Sequence, residues 1–102
     1  MLTNILEISP KAIISPMPDQ ISSELNGEVV ILNLSSGVYY GLNDVGTRIW
    51  ELIQHPCRFE QLHDVLQEEY DVPPDTCRQE LLKLLLELKN ACLIEVKNET
   101  AS

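Results

Sequence analysis

Cysteine and histidine are the residues of this chain whose side chains most readily act as nucleophiles, bases or metal ligands. They are few and scattered: Cys57, Cys77, Cys92, His55 and His63. Zinc sites and disulfide frameworks use closely spaced pairs such as C-x-x-C, and these cysteines form no such pair. Neither histidine has a nucleophile or a second metal ligand at useful spacing. The sequence therefore predicts reduced thiols in a cytoplasmic protein, solvated histidines and no metal site.

Motifs for enzyme chemistry are missing as well. The sequence has no P-loop, no G-x-G-x-x-G, no H-E-x-x-H and no G-x-S-x-G. Glu68-Glu69-Tyr70-Asp71 is an acidic run of the kind that is usually solvated, although such a face could dock a basic partner. We therefore expect a non-catalytic protein that uses no cofactor.

The charge balance excludes two classes of partner. The 102 residues include 7 Lys+Arg and 16 Asp+Glu, which gives a formal net charge of −9. Nucleic-acid binding needs clustered lysine and arginine to replace counterions, and anionic membrane surfaces attract the same residues. We expect no nucleic acid and no membrane as partner. The sequence also shows no signal peptide and no apolar stretch long enough to cross a bilayer.

The front half of the chain is predicted to form β-strands. Asn26-Gly27 is a strong hairpin signal because a mirror-type turn needs positive φ at both central residues. It separates Ile21–Leu25 from the β-branched run Glu28–Leu34, and the Ser35-Ser36-Gly37 turn leads into Val38–Leu42. These segments predict a three-stranded antiparallel meander.

The back of the chain has helical periodicity. Asn43 or Asp44 can cap a first helix that ends near His55-Pro56, and a second helix is expected over about 59–70. Pro73-Pro74 precede a third helix over about 75–91, followed by an apolar tail.

This order predicts an α+β fold that is winged helix-turn-helix-like, with a three-stranded antiparallel sheet followed by three helices. We expect an irregular lead-in over residues 1–19, with at most a short strand near Ala12–Ser15. The predicted domain covers residues 20–96, and a frayed tail covers residues 97–102.

Two features offer more binding capacity than a core requires. The third strand ends the meander, so it is a sheet edge if the strands pair in sequence order, and it has no Lys, Pro or bulge to protect it. The apolar arc of the third helix extends past Leu81, Leu84, Leu85 and Leu88 to Leu82 and Leu86. The alternatives are an ordinary core strand with one exposed Tyr and a helix wedged between two partners inside its own fold.

The stretch Gly37-x-Tyr39-Tyr40-Gly41-Leu42-Asn43-x-x-Gly46-x-x-Ile49-Trp50 resembles the signature of PqqD-like proteins. Glu69-Tyr70-Asp71-Val72 and Leu88-x-x-x-Cys92-Leu93-Ile94 match as well, so the resemblance extends from about residue 20 to 96. Cys92 departs from the family, which often has Gly at this helix end.

The resemblance implies a recognition element for ribosomally made, post-translationally modified peptides. A precursor's leader peptide would pair as a strand with the third strand and lie in the cleft between that strand and the third helix. By position, the resemblance assigns peptide binding to the backbone of the third strand and to side chains of the strand and helix: Val38, Tyr39, Tyr40, Gly41, Arg78, Leu82, Leu85 and Leu86. Which flank of the helix faces the cleft stays open.

The resemblance also implies an enzyme that receives the peptide. The Tyr-Tyr-Gly-Leu sequence is more similar to the family members of lasso-peptide pathways. In those pathways the partner is a transglutaminase-like leader peptidase. A radical S-adenosylmethionine enzyme is the alternative partner.

The residues disfavour two other classes of function. In a winged-helix DNA-binding regulator the recognition helix would carry surplus positive charge, but here Arg78, Lys83 and Lys89 are matched by acidic residues. An acyl-carrier-like protein would need an Asp-Ser-Leu attachment site, which the sequence lacks.

Overall fold

A computed structural model describes residues 8–98 of the chain. The described elements follow one another in this order: β1 (Ile13–Pro16), β2 (Gln20–Leu25), β3 (Glu28–Asn33), β4 (Tyr39–Gly41), α1 (Asp44–Ile53), β5 (Cys57–Arg58), α2 (Phe59–Glu69), α3 (Pro74–Asn90) and β6 (Ile94–Lys97). The predicted α+β class is confirmed, and the strands form two separate three-stranded sheets.

The predicted meander is confirmed as the sheet β2-β3-β4, with strands antiparallel and in sequence order. Asn26 and Gly27 both have positive φ, at 56° and 85°, as the mirror-type turn requires. Gly37, with φ of 74°, turns the chain from β3 into β4. Alternate residues of β3 (Val29, Ile31 and Asn33) are buried, so one face of this sheet covers the core.

The helix α1 starts directly after β4 because Asn43 caps it. The Asn43 side chain accepts a hydrogen bond from the Gly46 amide at 2.9 Å. A Cβ atom at Gly46 would lie 3.2 Å from two Leu42 side-chain atoms, so glycine lets the helix approach the strand end closely. Thr47 Oγ1 then accepts the Val29 amide at 3.0 Å in the core, which fixes α1 against β3.

The third helix is longer than the others and ends in an unusual cap. Pro74 occupies its first turn, where a missing N–H is tolerated. At the other end, the Leu93 amide donates to the Leu88 carbonyl and the Cys92 amide to the Lys89 carbonyl, both at 3.0 Å. This is a Schellman cap, in which Cys92 takes a φ of 61° that glycine adopts more easily. The predicted departure at Cys92 therefore leaves the cap geometry of the helix end intact.

The second sheet has the strand order β5-β1-β6 and joins the two ends of the described chain. The short strand expected near Ala12–Ser15 is present as β1, which pairs with β6 from Ile13↔Lys97 to Pro16↔Ile94, and with β5 at Ile13 and Ile14. The apolar tail after α3 likewise forms β6, and the predicted frayed tail begins inside that strand at Lys97. Residues 99–102 and 1–7 lie outside the described residues.

One core joins the two sheets and the three helices. Ala12 and Ile14 from the lead-in are wholly buried, as are Ile31 from the meander and Leu85 from α3. Residues of the predicted lead-in thus pack into the same core as the predicted domain.

Candidate functional site

The strand β4 forms one edge of the meander sheet. It pairs with β3 through Leu32↔Tyr39, Ile31↔Tyr40 and Val30↔Gly41, and no described strand pairs with its other side. The expectation that the third strand of the meander is an edge is therefore confirmed for the described part of the chain. Such an edge presents a row of backbone donors and acceptors to an incoming strand.

The register identifies which backbone groups of β4 point away from the sheet. Val38 C=O accepts the Asn33 amide at 3.0 Å, and the Leu42 amide donates to Val29 C=O at 2.8 Å. In an antiparallel ladder, directly opposed pairs alternate between hydrogen-bonded and non-hydrogen-bonded. Tyr40 therefore faces β3 with its backbone groups, whereas the N–H and C=O groups of Tyr39 and Gly41 face outward.

Tyr40 connects this edge to α3. Its side chain lies on the core side of the sheet, and its hydroxyl donates to Glu87 Oε1 at 2.5 Å. Burial of the phenol, together with the hydrogen bond to Glu87 and the negative charge of that carboxylate, raises the pKa of Tyr40 to about 12. The hydroxyl therefore stays protonated and able to donate at neutral pH.

A cavity of about 390 Å³ opens beside the same Glu87. Its wall on α3 includes Glu80, Leu84 and Glu87, and its rim at the end of β4 includes Asn43. The remaining lining comes mainly from apolar side chains of α1 and of the segment around the end of α2: Val45, Ile49, Leu66, Tyr70 and Val72. We call this space the α3 groove.

An ion pair joins the two helices that form the far wall of the α3 groove. Arg48 of α1 donates to both carboxylate oxygens of Glu69 at the end of α2, at 2.9 and 2.6 Å. These hydrogen bonds lower the pKa of Glu69, so the carboxylate stays charged in its planar, two-pronged contact with the guanidinium. The pair lies one residue from Ile49 and Tyr70, both of which line the groove.

The four strand residues predicted for peptide binding lie together at this edge. Val38, Tyr39 and Gly41 are exposed, and Tyr40 is half-buried against α3. Tyr39 and Tyr40 point to opposite faces of the sheet, as the alternation of a strand predicts. Val38 directly precedes β4, and its side chain is 57% exposed.

The four α3 residues predicted for the same site are placed differently. Leu85 is wholly buried in the core. Leu82 and Leu86 are half-buried, and Arg78 is exposed. None of the four is in the lining of the α3 groove. A role in peptide binding for Arg78, Leu82, Leu85 and Leu86 stays a prediction.

The flank of α3 near β4 is the opposite one. Leu82 and Leu86 are turned about 100–140° from Leu81 around the helix, whereas Leu84 and Glu87 are turned about 60–120° the other way. Sequence reasoning assigned Leu84 to the core alone and did not select Glu87. The contact that identifies this flank joins Tyr40 to Glu87, which is 47 positions away in the sequence. No local sequence pattern predicts such a contact.

Among residues 8–98, no group of three or more His, Cys, Asp and Glu side chains is arranged to hold a metal ion. No helix in that range is long and apolar enough to span a bilayer.

The chain is similar to a known protein family and to solved structures. The family model described as coenzyme PQQ synthesis protein D (PqqD) matches residues 28–94, which is more than half of the chain. A solved structure, "TbiB1 in Complex with the TbiA(beta) Leader Peptide", is 34% identical with a TM-score of 0.75, and the match covers 86% of this chain and 99% of that one.

A second solved structure is similar in fold. It is "Lasso peptide synthetase B1 complexed with the leader peptide", with 21% identity, a TM-score of 0.73, and coverage of 80% of this chain and 96% of that one. No curated protein matches the chain.

Proposed function

The chain belongs to the PqqD family, and from that membership we propose that it is a non-catalytic adaptor that binds the leader of a precursor peptide. The adaptor acts in the biosynthesis of a ribosomally made, post-translationally modified peptide and delivers the leader to an enzyme. The 34% identity to TbiB1, a protein solved with a leader peptide, supports this role.

The observation that carries the proposal is the open edge of β4 beside the α3 groove. The outward N–H and C=O groups of Tyr39 and Gly41 form a short template for one further antiparallel or parallel strand. In strand addition of this kind, the backbone hydrogen bonds supply affinity and alternate side chains supply specificity.

The α3 groove supplies the pockets for those side chains. Alternate residues of an added strand point to the same face as Tyr40, towards the flank with Leu84 and Glu87. Val45, Leu84 and Val72 give this lining apolar surface for leader side chains, and Glu80 and Glu87 give it acceptors. We propose that this flank, in addition to the edge strand, selects the leader.

The enzyme that receives the peptide is proposed to be a transglutaminase-like leader peptidase of a lasso-peptide pathway. The structural neighbour described as lasso peptide synthetase B1 supports this choice, whereas the PQQ description of the family favours a radical S-adenosylmethionine enzyme. Purified enzymes of each type decide between them: the correct one processes the precursor faster when this chain is added.

The charge of the chain and its cysteines bear on where it works. With a net charge of −9, it is proposed to bind peptide and enzyme and not nucleic acid. Cys57, Cys77 and Cys92 are free thiols, which supports a reducing compartment such as the cytoplasm.

Proline substitutions test the strand addition directly. Tyr39→Pro removes an outward-facing N–H of β4 without removing a bond to β3, so we expect affinity for the cognate leader to fall about tenfold or more. Ser22→Pro is the matched control, because the backbone N–H of Ser22 points away from the sheet at the opposite edge strand, β2. Fluorescence anisotropy with a labelled leader peptide measures both variants, and urea unfolding checks that each is folded.

The register explains why Tyr40→Pro is the poorer test. The Tyr40 amide faces β3, so its loss would damage the sheet itself. If folded Tyr39→Pro binds the leader as tightly as the wild type, the peptide does not add at β4. If Ser22→Pro alone weakens binding, the peptide adds at β2.

A further inference from the structure

The outer face of the meander sheet, on the side away from the helices, is unusually apolar. Ile21, Leu32 and Tyr39 lie directly opposite one another and form one row across β2, β3 and β4. The next row contains Ser23, Val30 and Gly41. We call these two rows the outer face.

The outer face is exposed to solvent in the described structure. Ile21 is 54% exposed and Tyr39 is 67% exposed, while Val30 and Leu32 are half-buried beside them. The solvated face of an antiparallel sheet normally carries polar side chains. Here Ser23 is the one polar side chain of the two rows, so this surface is expected to be covered by a partner.

The charges around the outer face limit what the partner can be. No lysine or arginine occurs between Lys11 and Arg48, whereas Asp19 and Glu28 lie at alternate positions that share the side of the sheet with Ile21 and Val30. Two copies of this face would bring the same acidic residues together, which disfavours self-association. The complementary partner has an apolar centre and a rim of lysine and arginine.

The outer face is continuous with the proposed peptide-binding edge. Tyr39 contributes its backbone to that edge and its side chain to the outer face. A leader strand added beside β4 would extend the outer face, because every second side chain of the added strand points to that side of the sheet. The surface that a partner meets is then larger when the leader is bound.

We propose that the outer face is the docking surface for the enzyme that receives the leader, and that the enzyme presents an apolar patch with a basic rim. This proposal rests on the proposed function, since the bound leader completes the surface. The enzyme accordingly binds the leader-loaded chain more tightly than the empty chain.

The test uses a purified leader peptidase that processes the precursor faster when this chain is added, the synthetic leader peptide and two lysine variants. Ile21→Lys removes apolar surface and places a positive charge at the centre of the outer face. Ser22→Lys adds the same charge at the next position of β2, where the side chain points to the other side of the sheet. Ile21→Thr is a milder variant that keeps a β-branched residue in the strand.

Two affinities are measured for each variant by isothermal titration calorimetry: for the leader peptide, and for the peptidase with the leader already bound. Ile21 lies two strands from β4, about 9–10 Å away, so leader affinity should stay within about twofold of the wild type. We expect Ile21→Lys to weaken peptidase binding about tenfold or more and Ile21→Thr to weaken it less, with Ser22→Lys close to the wild type.

The outcomes separate this proposal from the function on which it rests. If the wild type fails to bind the leader, the proposed function is wrong. If leader binding is normal but the Ile21 variants bind the peptidase as the wild type does, or Ser22→Lys is equally impaired, the outer face is not the docking surface. Self-association of the wild type that Ile21→Lys abolishes, measured by sedimentation, would assign the face to a second copy instead.

Discussion

Tyr40 determines how the edge strand and the third helix are held relative to each other. Its backbone is paired with Ile31 in the sheet, and its hydroxyl donates to Glu87 on α3. Burial and the contact with Glu87 raise the pKa of the phenol to about 12, above its ordinary value of about 10. The same residue therefore positions both walls of the proposed peptide site.

Tyr40→Phe should reveal this contact through the pH dependence of stability. Because the pKa of Tyr40 is raised in the folded protein, its contribution is complete below about pH 10 and is lost as the pH rises through about 12. We expect the wild type to exceed Tyr40→Phe by about 0.5–1 kcal/mol in the free energy of unfolding near neutral pH, a value discounted for solvent screening. Urea unfolding near pH 8 and near pH 12 measures the difference.

Tyr39→Phe is the matched control for a tyrosine hydroxyl, since the Tyr39 side chain is largely exposed. A difference between the wild type and Tyr40→Phe that persists unchanged at about pH 12 would show that the Glu87 contact does not contribute to stability.

At the scale of single residues, the position of the edge strand could be predicted from the sequence, whereas the flank of α3 beside it could not. Tyr39, Tyr40 and Gly41 could be named because turn residues and alternation define a strand locally. Leu84 and Glu87 could not, because the rotation of a helix about its axis depends on packing across the whole domain. An apolar arc wider than the core needs, as on α3, leaves both flanks equally plausible.

At the scale of elements, the central relation is between β4 and the flank of α3 that carries Leu84. Leu84 lines the groove, whereas Leu86 lies on the flank that turns away from it, and both are half-buried on one helix. They therefore form a matched pair for assigning the groove.

Leu84→Asp should weaken leader binding about tenfold or more, while Leu86→Asp should change leader affinity little, because only the first places a charge in the groove lining. Both substitutions should cost similar stability, since both side chains pack against the core. Leader titrations and urea unfolding of the two variants make the comparison. Loss of binding in Leu86→Asp alone would restore the flank of Arg78, Leu82 and Leu86 as the peptide-binding surface.

The elements with local signals were predicted, and those that depend on distant partners were not. The meander was predicted from its Asn26-Gly27 turn. The starts of α1 and α3 were predicted from the Asn43 cap and from Pro74. The strands β1, β5 and β6 contain four, two and four residues, too few to show a periodic pattern. They exist because β1 pairs with a segment about 80 positions later in the chain.

At the scale of the whole molecule, the two proposed surfaces share one strand. The edge of β4 and the α3 groove would receive the leader, and the outer face of the same sheet would receive the enzyme. The second sheet stands apart from both and closes the domain by joining β1 to β6. This division would let an acidic chain of 102 residues hold both proposed partners at once.

Amide hydrogen exchange, followed residue by residue by NMR, tests the central claim most directly. Backbone pairing at β4 predicts that the cognate leader slows exchange of the Tyr39 and Gly41 amides strongly, because these amides face outward in the free protein. The outward amides of Ser22 and Glu24 on β2 should exchange as they do without the leader. Saturating leader that protects Ser22 and Glu24, or that leaves Tyr39 and Gly41 unprotected, would contradict the account.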